Sequence, residues 1–194
     1  VEKSTRYIMA PSYLWDGTAD EAETGVCLLI EDGKVICKET LGQCRRQAPD
    51  AEVYAGDYLI LPGFTDAHDH GRGVSPTGYG VADRPLELWL QDLWKIPAVS
   101  HYTAAYYDGI QLASSGVTTV LHSHNPNDFG RLYEEVIDGA KGYNDAGIRC
   151  IMCPLYIDQN KGVYAERDEF IKSLPEDIGA AFRNSIHDKL FTID

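Results

Sequence analysis

Long apolar runs are missing from this chain. No stretch approaches the roughly 18 residues that a membrane-spanning helix requires, so no membrane span is expected. Basic residues are also scarce: 17 Lys and Arg stand against 30 Asp and Glu, for a formal net charge of −13. A surface this acidic repels phosphate backbones, which argues against a nucleic-acid partner. The carboxylates are spread along the chain and not gathered in a tail, so they read as solubilising charge. An even cysteine framework is lacking too, because the thiols are Cys27, Cys37, Cys44, Cys150 and Cys153. The segment Val1–Arg6 is polar and shows no secretory pattern, so reduced thiols and a cytoplasmic setting are expected. Cys150 and Cys153 form a C-x-x-C, but Ile148–Cys153 reads as a buried strand and not as a redox or metal turn. Against these absences, 44% hydrophobic and 24% charged residues are ordinary for a soluble globular protein.

Two textures follow one another. Residues 1–60 read as short strands and turns without helical period: Tyr7–Met9, Tyr13–Leu14, Val26–Ile30, Val35–Cys37 and Val53–Ala55. Asp32-Gly33 between two β-rich runs is a strong hairpin signal. Residues 61–194 alternate instead. Tyr58–Leu61 is apolar and runs into Pro62-Gly63-Phe64-Thr65-Asp66-Ala67-His68-Asp69-His70, followed by a long connection with glycines at 71, 73, 78 and 80. Pro85 opens a short helix with Leu86, Trp89, Leu90, Leu93 and Trp94 on one face. That face is either a lid, or packed against the domain or a second subunit. A helix over 102–115 closes at Gly116, and a β-branched strand follows over 117–121. Asn127 or Asp128 caps a helix running to Ala146, a strand covers 148–157, and helical sequence resumes near Ala165 with Pro175 interrupting it. Strand and helix in alternation predict a parallel sheet of βα units. The fold class is therefore α/β: a small N-terminal β unit, then about three units of a (β/α)8 barrel. A whole barrel takes about 250 residues, so the barrel is incomplete in this chain.

Chemistry concentrates at the first of these strands. Side chains alternate along a strand, so Asp66, His68 and His70 are expected on one face. Two imidazoles at i and i+2 can then reach one metal ion from one side. Glycines at 71 and 73 leave room beside the strand end, where barrel enzymes place their catalytic groups. Taken alone, an H-x-H is equally two polar histidines satisfied by hydrogen bonds.

These segments resemble the amidohydrolase superfamily. Leu61–His70 resembles its first barrel strand. Gly116-Val117-Thr118-Thr119-Val120 resembles the second, above all in the cytosine deaminase and chlorohydrolase-like branch. Glu31-Asp32-Gly33-Lys34-Val35 resembles the hairpin of the small β-domain that precedes the barrel. The resemblance implies a distorted barrel beside a β-sandwich. It also implies a divalent metal, zinc first with iron or manganese as alternatives, that activates water for attack on an amide, amidine or related carbon. His68 and His70 would be metal ligands. The remaining ligands and the general base would lie on later strands, outside these residues. The implied activity is hydrolysis of a carbon–nitrogen bond other than a peptide bond in a small-molecule substrate, such as deamination of a cyclic amidine. A cyclic-amide or dipeptide hydrolase is the alternative within the superfamily, and a non-catalytic structural or interaction module the alternative outside it. A homo-oligomer is compatible with either.

Four further residues belong near such a site. Asp66 is expected to support the ligands from one step deeper in the strand and not to act as the base. His122 and His124 alternate at the end of the second strand, where they would orient substrate or steady the ligands, or else bond to backbone in a loop. Arg72, inside Gly71-Arg72-Gly73, either meets an anionic substrate group or forms a structural ion pair. His101 and His187 read as surface residues.

Overall fold

The computed structural model describes residues 5–93, 95–156 and 166–185. Its contacts divide the chain into two compact units, Val1–Gly63 and Phe64–Asp194.

The first unit is a four-stranded sheet in the order β3-β2-β1-β4, with β1 at Arg6–Leu14, β2 at Cys27–Glu31, β3 at Lys34–Glu39 and β4 at Glu52–Ile60. β1 pairs antiparallel with β2 and parallel with β4. The β2–β3 hairpin turns on Asp32 and Gly33, whose φ angles are 49° and 77°. Positive φ at both central residues is what a two-residue turn matched to strand twist needs, and Asp-Gly supplies it cheaply. The short runs expected at 7–9 and 13–14 are one strand, with an irregularity between Pro11 and Tyr13. Likewise the runs at 53–55 and 58–60 are one strand, so the apolar Tyr58–Ile60 belongs to this unit.

A helix interrupts the expected all-β unit. α1 spans Leu41–Gln47, and the Gln43 side chain accepts from the Thr40 N–H at 3.2 Å. This ties down one of the donors that a helix start leaves unpaired. Seven residues make two turns, and only Cys44 is buried, so no apolar period could reveal it. Ile8, Cys27, Leu29, Cys37, Cys44 and Ala48 form the core that α1 helps to close.

The second unit is built on a parallel three-stranded sheet in the order β5-β6-β7: Phe64–Asp69, Val117–His124 and Arg149–Pro154. α2 is Leu86–Leu93; its Leu86 is exposed and not on the packed face, and Trp94 lies outside the described residues. α3 (His101–Ser114) connects β5 to β6, and α4 (Leu132–Asp145) connects β6 to β7. α4 starts later than the sequence suggests. Asp128 caps a 3₁₀ turn at Phe129–Arg131, accepting from the Gly130 N–H at 2.8 Å, and the α-helix follows. α5 (Arg167–Ser173) and α6 (Glu176–Ser185) are separated at Pro175. The expected helix start near Ala165, the strand end at Ile157 and His187 lie outside the described residues.

α3 and α4 approach each other closely. A Cβ on Gly142 would lie 2.4 Å from the Tyr102 carbonyl oxygen and 2.9 Å from the Tyr106 nitrogen. Backbone sits there, so only glycine fits. Ala105, Val120, Tyr143 and Ile148 form the apolar core between these helices and the sheet. No helix among the described residues is long and apolar enough to cross a membrane.

Candidate active site

The ends of β5 and β6 lie side by side, and the sequence motifs meet there. Pairing between them runs Asp66↔Val120 and then Asp69↔His122, so three steps on β5 match two on β6. This bulge breaks the strict alternation expected from Asp66 to His70. Asp66 stabilises the irregular stretch: its carboxylate accepts the His68 N–H at 3.0 Å. Asp69 does the same one step on, accepting the Gly71 N–H at 2.7 Å. Bulges re-aim side chains at strand ends, and here the His68 and His70 rings sit edge to face with centroids 4.9 Å apart.

His70 is held in one tautomer. Its Nδ1 lies 2.9 Å from the Ser123 carbonyl oxygen, and the Asn125 side-chain amide, whose oxygen and nitrogen can exchange places by a flip, lies 3.2 Å away. A carbonyl can only accept, so an unprotonated Nδ1 would set two lone pairs against each other. Nδ1 therefore carries the proton, which leaves the Nε2 lone pair free for a ligand. Burial, the main cause, keeps the ring neutral by lowering its pKa; the Ser123 carbonyl opposes this, and Arg72 and His68 add to it.

Both histidines open on a cleft of about 390 Å³ whose walls include Asp69, Arg72, Trp89 and Asp108. Arg72 extends along this wall with its guanidinium carbon 5.5 Å from the Trp89 ring centroid, a cation–π arrangement. Burial lowers its pKa, yet an arginine stays charged throughout the accessible range.

His122 and His124 take a different course. They are buried below the strand ends, at 3% and 1% exposure. Tyr143 donates its hydroxyl proton to Asp108 at 2.8 Å, so its oxygen is free to accept from His122 Nδ1 at 3.2 Å. His122 Nε2 then accepts from His124 Nδ1 at 3.3 Å. One direction of donation runs through all four groups, and each tautomer follows from the one before. Burial pushes the His122 pKa down to about 4, with His124, His70 and His101 adding to the effect. Burial likewise pushes the Asp108 carboxyl up to about 6; the Tyr143 hydrogen bond opposes this, and Asp69 and Asp66 reinforce it. Gly71 passes directly over the network with φ 60°, and a Cβ there would sit 2.5 Å from His122 Cε1.

The remaining nitrogen of His124 lies 3.8 Å from Glu135 Oε2, and its ring centroid is 4.6 Å from that of His101. His101 is thus a correction to the surface reading: its side chain is 18% exposed and its Nε2 lies 3.0 Å from Glu135 Oε2. Sequence reasoning also missed Glu135, Tyr143 and Asp108. Each sits on a helix among other polar residues, where one sequence cannot tell an inward acid or phenol from a solvated one. Their positions in the helical period were the available signal, since Glu135 and Tyr143 are eight residues apart on one face of α4.

No protein-family model matches the chain. Over 127 residues it is 31% identical to the 5-methylthioadenosine/S-adenosylhomocysteine deaminase of Pyrococcus furiosus, covering 63% of this chain and 27% of that enzyme. Over 116 residues it is 33% identical to the 5'-deoxyadenosine deaminase of Methanobrevibacter smithii, covering 56% of this chain and 24% of that one. The chain thus spans about a quarter of the length of the curated relatives it matches. Among solved structures it is similar to an atrazine chlorohydrolase of Arthrobacter aurescens complexed with zinc and atraton, with a TM-score of 0.64 at 14% identity, covering 94% of this chain and 44% of that one. It is also similar to the guanine deaminase of C. acetobutylicum, with a TM-score of 0.52 at 14% identity, covering 86% of this chain and 41% of that one.

Proposed function

We propose that this chain is the N-terminal portion of an amidohydrolase-superfamily enzyme and that it contributes the first two metal ligands of a hydrolytic deaminase. His68 and His70 would hold one divalent cation, zinc in the first instance. The donor set suits it: two imidazoles, that of His70 with its tautomer fixed by Ser123, facing a cleft large enough for water and a small ring. When bound, such a cation supplies Lewis acidity toward water and toward the carbon under attack.

The chain's own residues do the rest. Ser123 and the bulge at Asp66 hold the two rings at their mutual angle. Trp89 and Arg72 offer a flat, cationic wall against which a planar heterocycle can stack. Asp108, with its carboxyl pushed up to about 6, lies at the cleft where it can hold or pass a proton near neutral pH. Asp66 and the His122–His124 pair act as supports, not as ligands of this cation.

In this reading β5, β6 and β7 are the first three strands of a (β/α)8 barrel, and the N-terminal sheet is one part of a sandwich. Phe64 and Ile151, each 56% exposed, are apolar side chains that the remaining strands and helices would cover. The substrate class follows the relatives. A cyclic amidine is proposed, and adenine nucleosides modified at the 5' position are the first compounds to assay.

The His68–His70 pair at the mouth of the cleft carries this reading. Its test is ammonia release by the full-length protein from 5'-deoxyadenosine and methylthioadenosine, with His70→Ala beside it. Turnover should fall by at least ~10³-fold in the variant, the scale on which loss of a metal-activated nucleophile is felt. Turnover of a cyclic amide or a dipeptide in place of either nucleoside would move the protein to another branch. Undiminished turnover in the variant would remove the histidine pair from the mechanism.

A further inference from the structure

A second group of metal-binding side chains lies on the other side of the buried histidine network. His101 is the first residue of α3, His124 the last of β6, and Glu135 sits in the first turn of α4. One ligand atom from each lies within 4.8 Å of the other two. We infer that His101, His124 and Glu135 bind a divalent transition metal, zinc by preference, at a site that does not use His68 or His70.

Three observations carry this. First, the spacing suits the ion. Zinc with ligands at about 2.0–2.1 Å in a tetrahedral set has ligand–ligand edges of roughly 3.3–3.4 Å. The two ring-to-carboxylate distances here are 3.0 and 3.8 Å, one on either side of that value. Second, two buried nitrogens at the site make no aligned hydrogen bond: His101 Nε2, although it lies 3.0 Å from Glu135 Oε2, and His124 Nε2. His124 is 1% exposed, and a buried ring nitrogen left unpaired is costly. A charged His101 paired with Glu135 would satisfy one of the two and leave the other stranded. A metal satisfies both.

Third, the ligands are already held. His124 gives its Nδ1 proton to His122, so the lone pair on Nε2 faces the site. The Glu135 carboxylate accepts the Asn127 N–H at 2.8 Å on one oxygen and the Asp128 N–H at 3.1 Å on the other. These contacts fix the carboxylate while leaving a lone pair on Oε2 for a cation. Outer hydrogen bonds of this kind are what orient metal ligands elsewhere. Three protein ligands leave a tetrahedral ion one position for water. The ion would join the start of α3, the end of β6 and the start of α4.

This inference is independent of the deaminase reading, and the test separates them. The full-length protein is stripped with chelator and titrated with zinc, read by bound equivalents and by thermal stability. The variants are His101→Ala, Glu135→Gln and the pair His68→Ala with His70→Ala. His101→Ala and Glu135→Gln should each bind one equivalent fewer than the unaltered protein and lose the zinc-dependent rise in melting temperature. The His68/His70 double variant should keep both that equivalent and that rise. Glu135→Gln keeps an acceptor for only one of the two loop amides, so the melting temperature of each metal-free variant is read beside the titration to register any folding defect. Cobalt loaded into the His68/His70 variant should give the visible absorption of a low-symmetry four-coordinate ion, and should not do so once His101 is also removed. Unchanged zinc stoichiometry in both His101→Ala and Glu135→Gln would overturn the proposal. So would loss of all tight zinc from the His68/His70 variant alone.

Discussion

Among the described residues of 1–63 the groups withdrawn from water are Ile8, Leu14, Leu29, Ile30, Ala48 and three thiols. In residues 64–194 they include His122, His124, Asp108, Glu135 and the hydroxyl of Tyr143. The first set needs only to fit, because each fully buried aliphatic side chain contributes about 1.5–3 kcal/mol whatever its exact neighbours. Burial holds the Cys44 thiol up at about 11, so it behaves as one more apolar group. The second set must also be wired, since every buried polar atom costs stability until it finds a partner. A scaffold and a site are thus distinguishable by what they hide.

That comparison can be broken by crowding each unit in turn. Gly142→Ala places a methyl 2.4 Å from the Tyr102 carbonyl, where two helix backbones meet and neither can yield. A loss of at least about 3 kcal/mol is expected, measured by denaturant unfolding. A loss below about 1 kcal/mol would mean that α3 and α4 do not approach as described.

Asp108 sharpens the contrast through pH. Its carboxyl is raised from the ordinary 3.8 to about 6, with burial the first cause. The folded state thus binds its proton more tightly than the unfolded state does. The associated stability is fully present below about pH 4 and is lost as the pH rises through 6. The loss amounts to at most about 3 kcal/mol for this one group. Asp108→Asn, which can still accept from Tyr143, should flatten the stability profile between about pH 4 and 6. An unaltered profile in the variant would show that Asp108 ionises there without penalty.

The smallest effect belongs to the N-terminal hairpin. Gly33 has φ 77° and nothing within 4 Å of where a Cβ would be. Gly33→Ala should cost only about 1 kcal/mol of local backbone strain, read in the same unfolding experiment. A cost matching that of Gly142→Ala would erase the distinction drawn between the two units.

Much of this was legible in residue order. Asp32-Gly33 announced the hairpin because few pairs accept two positive φ angles in succession. Gly116 and the β-branched Val117-Thr118-Thr119-Val120 announced the second parallel strand. His68 and His70 stood out by their context: a β-rich unit, then an apolar strand running through Pro62-Gly63 into the pair, then βα units. Other features were hidden for physical reasons. α1 is too short, and too exposed outside Cys44, to display a period. The bulge between Asp66 and Asp69 depends on two side-chain-to-backbone bonds that no pattern reports. His101 reads as a polar residue at a helix start, and only the packing of α3 against α4 brings it to Glu135. Asp108 and Tyr143 are 35 residues apart and meet across two helices.

Zinc titration of the metal-free full-length protein, with and without His68 and His70, tests the central claim most directly. Replacing both histidines by alanine should remove one tight equivalent of zinc and abolish hydrolytic turnover together. Full zinc stoichiometry with turnover intact in that double variant would contradict the account.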